Sequence, residues 1–173
     1  LLKSFFHIKL VTLTDITGYI IMTREEAFNE INKTQDDYVD QLIRYMNDPA
    51  NAALKEINFT SPTGTGKTNM MAKLINRLSD CYFIVTTLSK GQLKAQVQDS
   101  FRKNCLYDNY TVYGSQDFKV NSVLTGQDIL SLIPEGKRCI WLRDEGHIHT
   151  NNYMGLLEAR CDKIINFSAT NTQ

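Results

Sequence analysis

Two short runs of uninterrupted apolar residues constrain the fold of this chain more than any other feature of its sequence. They are Cys-Tyr-Phe-Ile-Val at 81–85 and Cys-Ile-Trp-Leu at 139–142. A strand with one face in water alternates apolar and polar residues, whereas a continuous apolar run is typical of a strand buried on both faces of a parallel sheet. Parallel strands need crossover connections that are usually helical, so the two runs predict an α/β domain.

The segments around the two runs alternate between strand and helix patterns. Leu93, Val97 and Phe101 are spaced four residues apart and mark one face of a helix. Strands that alternate with helices predict a mainly parallel sheet with right-handed crossovers, in a three-layer α/β domain. The other predicted strands are 57–60, 110–113 and 164–167, and the other predicted helices are 67–78, a short one from Gly126 to about Pro134, and 152–158.

The part of the chain before residue 55 has helical patterns. Thr-Arg-Glu-Glu at 23–26 has the pattern of a capping box and predicts a short helix to about Ile31. Thr-Gln-Asp-Asp at 34–37 repeats the start signal, and Asp-Pro at 48–49 is expected to end a second helix. Short helices are therefore expected before the sheet, in a domain that spans 22–173. For the N-terminal extension 1–21, the sequence leaves open an upstream segment, a strand or a packed arm.

The charge and cysteine content restrict the setting of the protein. The 173 residues include 19 basic and 19 acidic ones, so no strong overall positive field attracts nucleic acid, although a local basic strip is compatible with these counts. The four cysteines are spread widely without a Cys-x-x-Cys pair, which argues against a disulfide framework or zinc site and favours a reduced, cytoplasmic setting. Charged residues interrupt the apolar start of the chain, so no membrane span of about 20 apolar residues is expected.

A glycine-containing segment between a predicted strand and a predicted helix has the spacing of a phosphate-binding loop. Glycines let the backbone approach phosphate oxygens closely, and the free amides at a helix N-terminus attract their negative charge. Lys67 is then expected to reach the β- and γ-phosphates of ATP, and the Thr68 hydroxyl to bind Mg²⁺. The alternative is a turn that only joins strand to helix, which the spacing makes a rare coincidence. The predicted nucleotide-binding residues are Ser61, Pro62, Thr63, Gly64, Thr65, Gly66, Lys67 and Thr68, with Ser61 in place of the usual glycine or alanine.

Two acidic residues directly follow the second apolar run. In an open parallel sheet, ligands lie beyond the carboxyl ends of the strands, so Asp144 and Glu145 should face the phosphate-binding loop. Asp144 is expected to hold Mg²⁺ through water, and Glu145 to orient or deprotonate the attacking water. Without the loop, a solvated strand end would be the better interpretation. Arg143 is unusual here, because a charge rarely ends a buried strand unless it is paired, and the sequence offers no specific partner.

These residues resemble motifs of the superfamily 2 helicases and translocases. The segment 61–68 resembles their motif I, Asp-Glu-Gly-His at 144–147 resembles their D-E-x-H box, and Ser-Ala-Thr at 168–170, just after the last predicted strand, is similar to their motif III. The resemblance covers about residues 30–173 and implies the first of the family's two RecA-like P-loop NTPase domains. Within the superfamily, the chain looks most like the motor subunits of type I and type III restriction enzymes.

The resemblance also implies roles for residues outside the two strongest motifs. Gln35 corresponds to a glutamine near the adenine, although a glutamine on an exposed first turn of a helix explains it equally well. Thr125 corresponds to a strand-contacting residue, but it would also serve as a helix cap. The implied catalytic residues are Lys67, Asp144 and Glu145, and the implied metal-binding residues are Thr68 and Asp144. The implied coupling residues are His147, Ser168 and Thr170, and the implied nucleic-acid contacts are Thr87, Gln92 and Thr125. Lys90, Lys94, Arg102 and Lys103 would add local positive charge for nucleic acid, or they equally form the solvated face of a helix.

The function implied is ATP hydrolysis coupled to translocation along DNA, or to its unwinding, in the motor part of a restriction enzyme. ATP, Mg²⁺, DNA rather than RNA, and other restriction–modification subunits are the expected ligands and partners. The family's second RecA-like domain, which carries the arginine finger, is expected beyond Gln173, so this chain alone should turn over ATP very slowly. The alternatives are an RNA-dependent D-E-x-H ATPase and a truncated nucleotide-binding module without turnover.

Overall fold

The computed structural model describes residues 23–62, 66–87, 92–114, 117, 126–144 and 152–170. Its elements follow one another as strands and helices in alternation, preceded by one long helix and a single 3₁₀ turn. They are α1 (Arg24–Asn47), the 3₁₀ helix (Pro49–Asn51), β1 (Glu56–Pro62), α2 (Lys67–Arg77), β2 (Tyr82–Thr87), α3 (Leu93–Asn104), β3 (Tyr110–Gly114), α4 (Gly126–Leu132), β4 (Cys139–Asp144), α5 (Asn152–Arg160) and β5 (Lys163–Thr170).

The five strands form one sheet in the order β1-β5-β4-β2-β3, and every neighbouring pair is parallel. All five predicted strands are found. Each is one to four residues longer than predicted, and β2 is also displaced slightly towards its carboxyl end. β2 is buried along its whole length and β4 along all but its last residue, which confirms the interpretation of the two apolar runs.

Apolar side chains cover both faces of the sheet, so the fold has three layers. The larger core lies under α1, α2 and α3, where Tyr38, Met70 and Phe101 pack against side chains such as Phe83. The smaller core lies under α4 and α5 and is centred on Trp141. The three-layer α/β fold is therefore confirmed.

The prediction of short helices before the sheet is wrong, because α1 is one continuous helix of 24 residues. The capping box is present: Thr23 Oγ1 accepts from the Glu26 amide at 3.1 Å, and Glu26 Oε2 accepts from the Thr23 amide. The second start signal is internal to the helix, because the Thr34 hydroxyl donates to the Glu30 carbonyl at 2.9 Å. Asp36 pairs with Lys73 of α2, so its charge serves packing rather than capping.

Three further features of the described residues bear on the sequence predictions. Motif III does not follow the last strand, because Ser168, Ala169 and Thr170 are the last three residues of β5. Within the described ranges, none of the helices is long and apolar enough to cross a membrane. All four cysteines are free thiols.

Candidate functional site at the carboxyl edge of the sheet

The phosphate-binding segment turns sharply at its last glycine. Gly66 is the N-cap of α2 and has a φ of 82°, in the left-handed region that side chains other than glycine rarely adopt. A Cβ built on Gly66 would also overlap Nε2 of Gln35. The backbone conformation therefore requires glycine here, and the Gln35 side chain would have to move to admit any larger residue.

Lys67 and Asp144 meet at this edge, as the sequence predicted. Lys67 is the first residue of α2 and Asp144 the last residue of β4. Lys67 Nζ lies 3.4 Å from Asp144 Oδ1, and the side chains are only 19% and 15% exposed. The Thr87 hydroxyl, at the end of β2, donates to Asp144 Oδ2 at 3.2 Å. Residues from three elements therefore converge on one carboxylate.

The Asp144 carboxylate has hydrogen-bonding capacity to spare. Its Oδ1 is buried and, among the residues that the structure describes, accepts no hydrogen bond. Burying an ionised oxygen without full pairing is costly, and the lysine at 3.4 Å offsets this cost only in part. A hard divalent cation prefers such carboxylate oxygens, so the residues present fit Mg²⁺.

Motif III runs beside the phosphate-binding segment. β5 lies between β1 and β4, and Ser168 and Ala169 pair in register with Thr60 and Ser61. On the other side of β5, Phe167 pairs with Asp144. A shift of the end of β5 therefore acts on the phosphate-binding strand and the acidic strand at once.

Gln35 lies in the middle of α1 and is only 4% exposed, so the alternative of an exposed first turn is wrong. Its amide approaches Gly66 at the start of α2. A cavity of about 220 Å³ begins here and continues between α1 and α2. Its lining is mostly polar: Phe28, Asn32, Gln35, Asn69, Ala72, Lys73, Asn76 and Asn104.

The residues expected to contact nucleic acid have different surroundings. Thr87 is 1% exposed and donates to Asp144, so it belongs to the carboxylate site. Gln92 is exposed at the start of α3. Lys94 pairs with Asp117 at 2.8 Å, and Arg102 with Asp99 at 3.0 Å, so acidic partners neutralise two of the expected basic residues.

Several predicted site residues lie outside the part of the chain that the structure describes. Their roles stay predictions from the sequence. Thr63, Gly64, Thr65, Lys90, Thr125, Glu145 and His147 lie outside the described residues, and for Pro62 and Thr170 only the backbone is described.

Arg143 has partners that the sequence did not identify. Its Nε donates to Asn166 Oδ1 at 2.7 Å, its Nη2 to Glu56 Oε1 at 2.5 Å, and the guanidinium carbon lies 4.9 Å from the centre of the Trp141 ring. Arg143 and Asn166 are register partners on β4 and β5. The signal in the sequence is Asn166, a polar residue between the apolar residues Ile165 and Phe167.

The comparison with protein-family models agrees with these motifs. The family model described as type III restriction enzyme, res subunit, matches residues 26–173. No curated protein matches the chain. Among solved structures, one described as an ATPase domain is 14% identical with a TM-score of 0.40, and the match covers 69% of this chain and 58% of that one. The chain belongs to the family of the type III restriction enzyme res subunit and is a helicase-like ATP-binding domain.

Proposed function

We propose that this domain hydrolyses ATP in response to nucleic acid and couples hydrolysis to movement along DNA, in the motor of a restriction enzyme. The observation that carries the proposal is the Lys67–Asp144 pair at the end of the phosphate-binding segment. Family membership supports the nucleotide, since the matched model spans both residues.

ATP binding begins with an exchange of partners at Lys67. The Nζ–Oδ1 distance of 3.4 Å is longer than a good charge-assisted hydrogen bond of about 2.7–2.9 Å, so the pair is easily separated. The triphosphate competes for the lysine with more negative charge, and the free amides at the start of α2 add to the attraction. Once Lys67 turns to the β- and γ-phosphates, Asp144 needs a different cation.

Thr68 and Asp144 are the residues that would hold Mg²⁺. Bound there, the ion would neutralise negative charge on the phosphate oxygens. The hydrogen bond from Thr87 fixes the rotation of the Asp144 carboxylate and leaves Oδ1 available. Glu145 is the next residue and orients the attacking water or accepts its proton. The water oxygen bonds to the γ-phosphorus as the bond from the γ-phosphorus to the bridging oxygen breaks, and ADP leaves with that oxygen.

Coupling to nucleic acid runs through the end of β5. Ser168 and Thr170 follow the β5 residues that lie beside Asp144, and they belong to the strand that also pairs with β1. Together with His147, they respond to loss of the γ-phosphate and transmit the change towards the bound strand. Gln92, exposed at the start of α3, is suited to contact the nucleic-acid backbone.

The test is the ATPase activity of the protein that carries this chain, measured with double-stranded DNA, single-stranded DNA, RNA or no polymer. Glu145→Gln is compared with Glu135→Gln, which makes the same change at an exposed turn residue. DNA should stimulate the wild type and the Glu135 variant, and the Glu145 variant should bind ATP but not hydrolyse it.

Each alternative gives a different result. Stimulation by RNA alone would favour an RNA-dependent ATPase and contradict the assignment to DNA. ATP binding without hydrolysis on any polymer would contradict the motor and leave a nucleotide-binding module.

A further inference from the structure

We propose that Cys139 and Cys161 are a redox modification site, at which a hydroperoxide converts the two thiols into a reversible disulfide. The pair lies at the amino edge of the sheet, the edge opposite to the ATP site. The two Sγ atoms are 3.5 Å apart and share a hydrogen bond.

The backbone holds the two cysteines together. Cys139 is the first residue of β4, and Cys161 lies between α5 and β5. The Asp162 amide donates to the Cys139 carbonyl at 2.8 Å, and the Cys139 amide donates to Asp162 Oδ2 at 2.8 Å. A disulfide bond is about 2.05 Å long, so the sulfurs need to approach by roughly 1.5 Å from their distance of 3.5 Å.

The surroundings select Cys139 as the nucleophile. The hydrogen bond from Cys161 lowers the pKa of the Cys139 thiol, and the Arg160 guanidinium lowers it further against the opposing effect of burial. The same hydrogen bond and burial raise the pKa of Cys161, which therefore keeps its proton. Burial also raises the pKa of Cys105, to about 11, and that of Cys81. The thiolate is the reactive form, so Cys139 reacts before the other thiols.

The pair lies close in sequence to an opening at this edge. An open cleft at this edge is lined by sequence neighbours of both cysteines, among them Lys137, Arg138, Arg160 and Asp162. Neither cysteine lines the cleft and both are almost completely buried, so the oxidant must be small and must enter through a local opening of the structure. Hydrogen peroxide meets this condition.

The reaction proceeds in two balanced steps. The Cys139 thiolate attacks one oxygen of hydrogen peroxide, the O–O bond breaks, and a sulfenic acid and hydroxide are formed. The Cys161 sulfur then attacks the sulfenic sulfur, the S–S bond forms and the S–O bond breaks. The departing hydroxide takes the Cys161 proton, and the first hydroxide takes a proton from solvent. Two thiol sulfurs are thereby oxidised and one peroxide is reduced to two waters.

The disulfide would join the two ends of the segment that carries Asp144. Residues 139–161 contain all of β4, the predicted D-E-x-H box and α5. Oxidation therefore acts on the acidic strand from the edge that does not bind ATP, and the site does not depend on the proposed motor activity.

The test is peptide mapping of the native, fully reduced protein after treatment with hydrogen peroxide. Free thiols are alkylated in denaturant, and trypsin then releases the peptides 139–143 and 161–163. The expected product is these two peptides joined by a disulfide that dithiothreitol reverses, about tenfold more abundant than any disulfide of Cys81 or Cys105.

Two controls separate the site from general oxidation. Cys105→Ser should leave the linkage unchanged, whereas in Cys161→Ser a sulfenic acid on Cys139 should accumulate and react with dimedone. A sample unfolded in urea should give mixed pairings. The proposal is overturned if peroxide oxidises Cys105 while Cys139 and Cys161 are recovered as alkylated thiols, or if the native and unfolded samples give the same pairings.

Discussion

The carboxyl and amino edges of the sheet each contain a buried oxygen that accepts no hydrogen bond within the described part of the chain. At the carboxyl edge it is Oδ1 of Asp144, and at the amino edge it is the amide oxygen of Asn109, just before β3. The Asn109 oxygen is neutral, whereas the Asp144 oxygen belongs to a carboxylate. A buried charge costs far more than a buried dipole, so Asp144, beside Lys67, is the better candidate of the two for binding a further cation.

The remaining polar groups at the amino edge serve structure. Asn109 Nδ2 donates to the carbonyls of Ile75, Leu78 and Cys81, which closes the end of α2 onto β2. The buried Lys163 donates to the carbonyls of Asn51, Ala52 and Leu54 ahead of β1. At the carboxyl edge, by contrast, one oxygen of the Asp144 carboxylate accepts no hydrogen bond from the described residues. The difference supports the proposal that the carboxyl edge binds the nucleotide, while these polar groups of the amino edge support the fold.

The largest expected effect is that of Lys67→Ala on activity. Loss of the cation proposed to contact the transferred phosphate should lower the ATPase rate by about 10²–10³-fold, and the free energy of unfolding should also fall, because Asp144 loses the cation that offsets its burial. Steady-state ATPase kinetics and urea unfolding measure the two quantities. Lys73→Ala is the matched control, because Lys73 is on the same helix but pairs with Asp36 and Asn32 of α1. An equal loss of activity in both variants would contradict the division between the edges.

The sequence predicted this division only in part. Strand ends and the phosphate-binding pattern located Lys67 and Asp144, because parallel strands bring their carboxyl ends to one edge. The third group, Thr87, was assigned to nucleic acid, because no local pattern reveals that β2 lies next to β4 in the sheet. The continuity of α1 was missed for a related reason, since Asp36 is satisfied by the distant Lys73.

Between the two edges, Arg143 forms a polar network with Asn166 and Glu56. The substitution Arg143→Met removes this network and should lower the free energy of unfolding by about 1–3 kcal/mol. A fully buried partner left unpaired would cost more, but the Glu56 side chain is 50% exposed and water can solvate it. Urea unfolding measures the loss. Arg102→Met removes the exposed pair with Asp99 and should cost less than about 1 kcal/mol. Equal losses would show that the buried network adds nothing beyond a surface pair.

Asn109→Ala should lower the free energy of unfolding by about 1–2 kcal/mol without changing the KM for ATP. The two N–H groups that three carbonyls share are lost, but the Leu78 carbonyl still accepts from the Cys81 amide, and the unpaired amide oxygen of Asn109 is removed as well, which limits the loss. Asn51→Ala removes a single exposed bond to the Tyr45 carbonyl and serves as the control in the same urea titration. A raised KM in the Asn109 variant would show that the amino edge acts on ATP binding after all.

The smallest expected effect is at the start of α1, which approaches the carboxyl edge at Gln35. Thr23→Ala removes the capping box and should cost about 0.5–1 kcal/mol, seen as faster amide exchange in the first turns of α1. Thr34→Ala removes a hydroxyl that only donates back to the Glu30 carbonyl, so amide exchange at the start of α1 should stay unchanged. The opposite result, faster exchange at the start of α1 in Thr34→Ala but not in Thr23→Ala, would show that the helix begins at the second start signal, residues 34–37. Gln35 would then lie on a first turn, and its close approach to Gly66 would lose the support of the preceding helix.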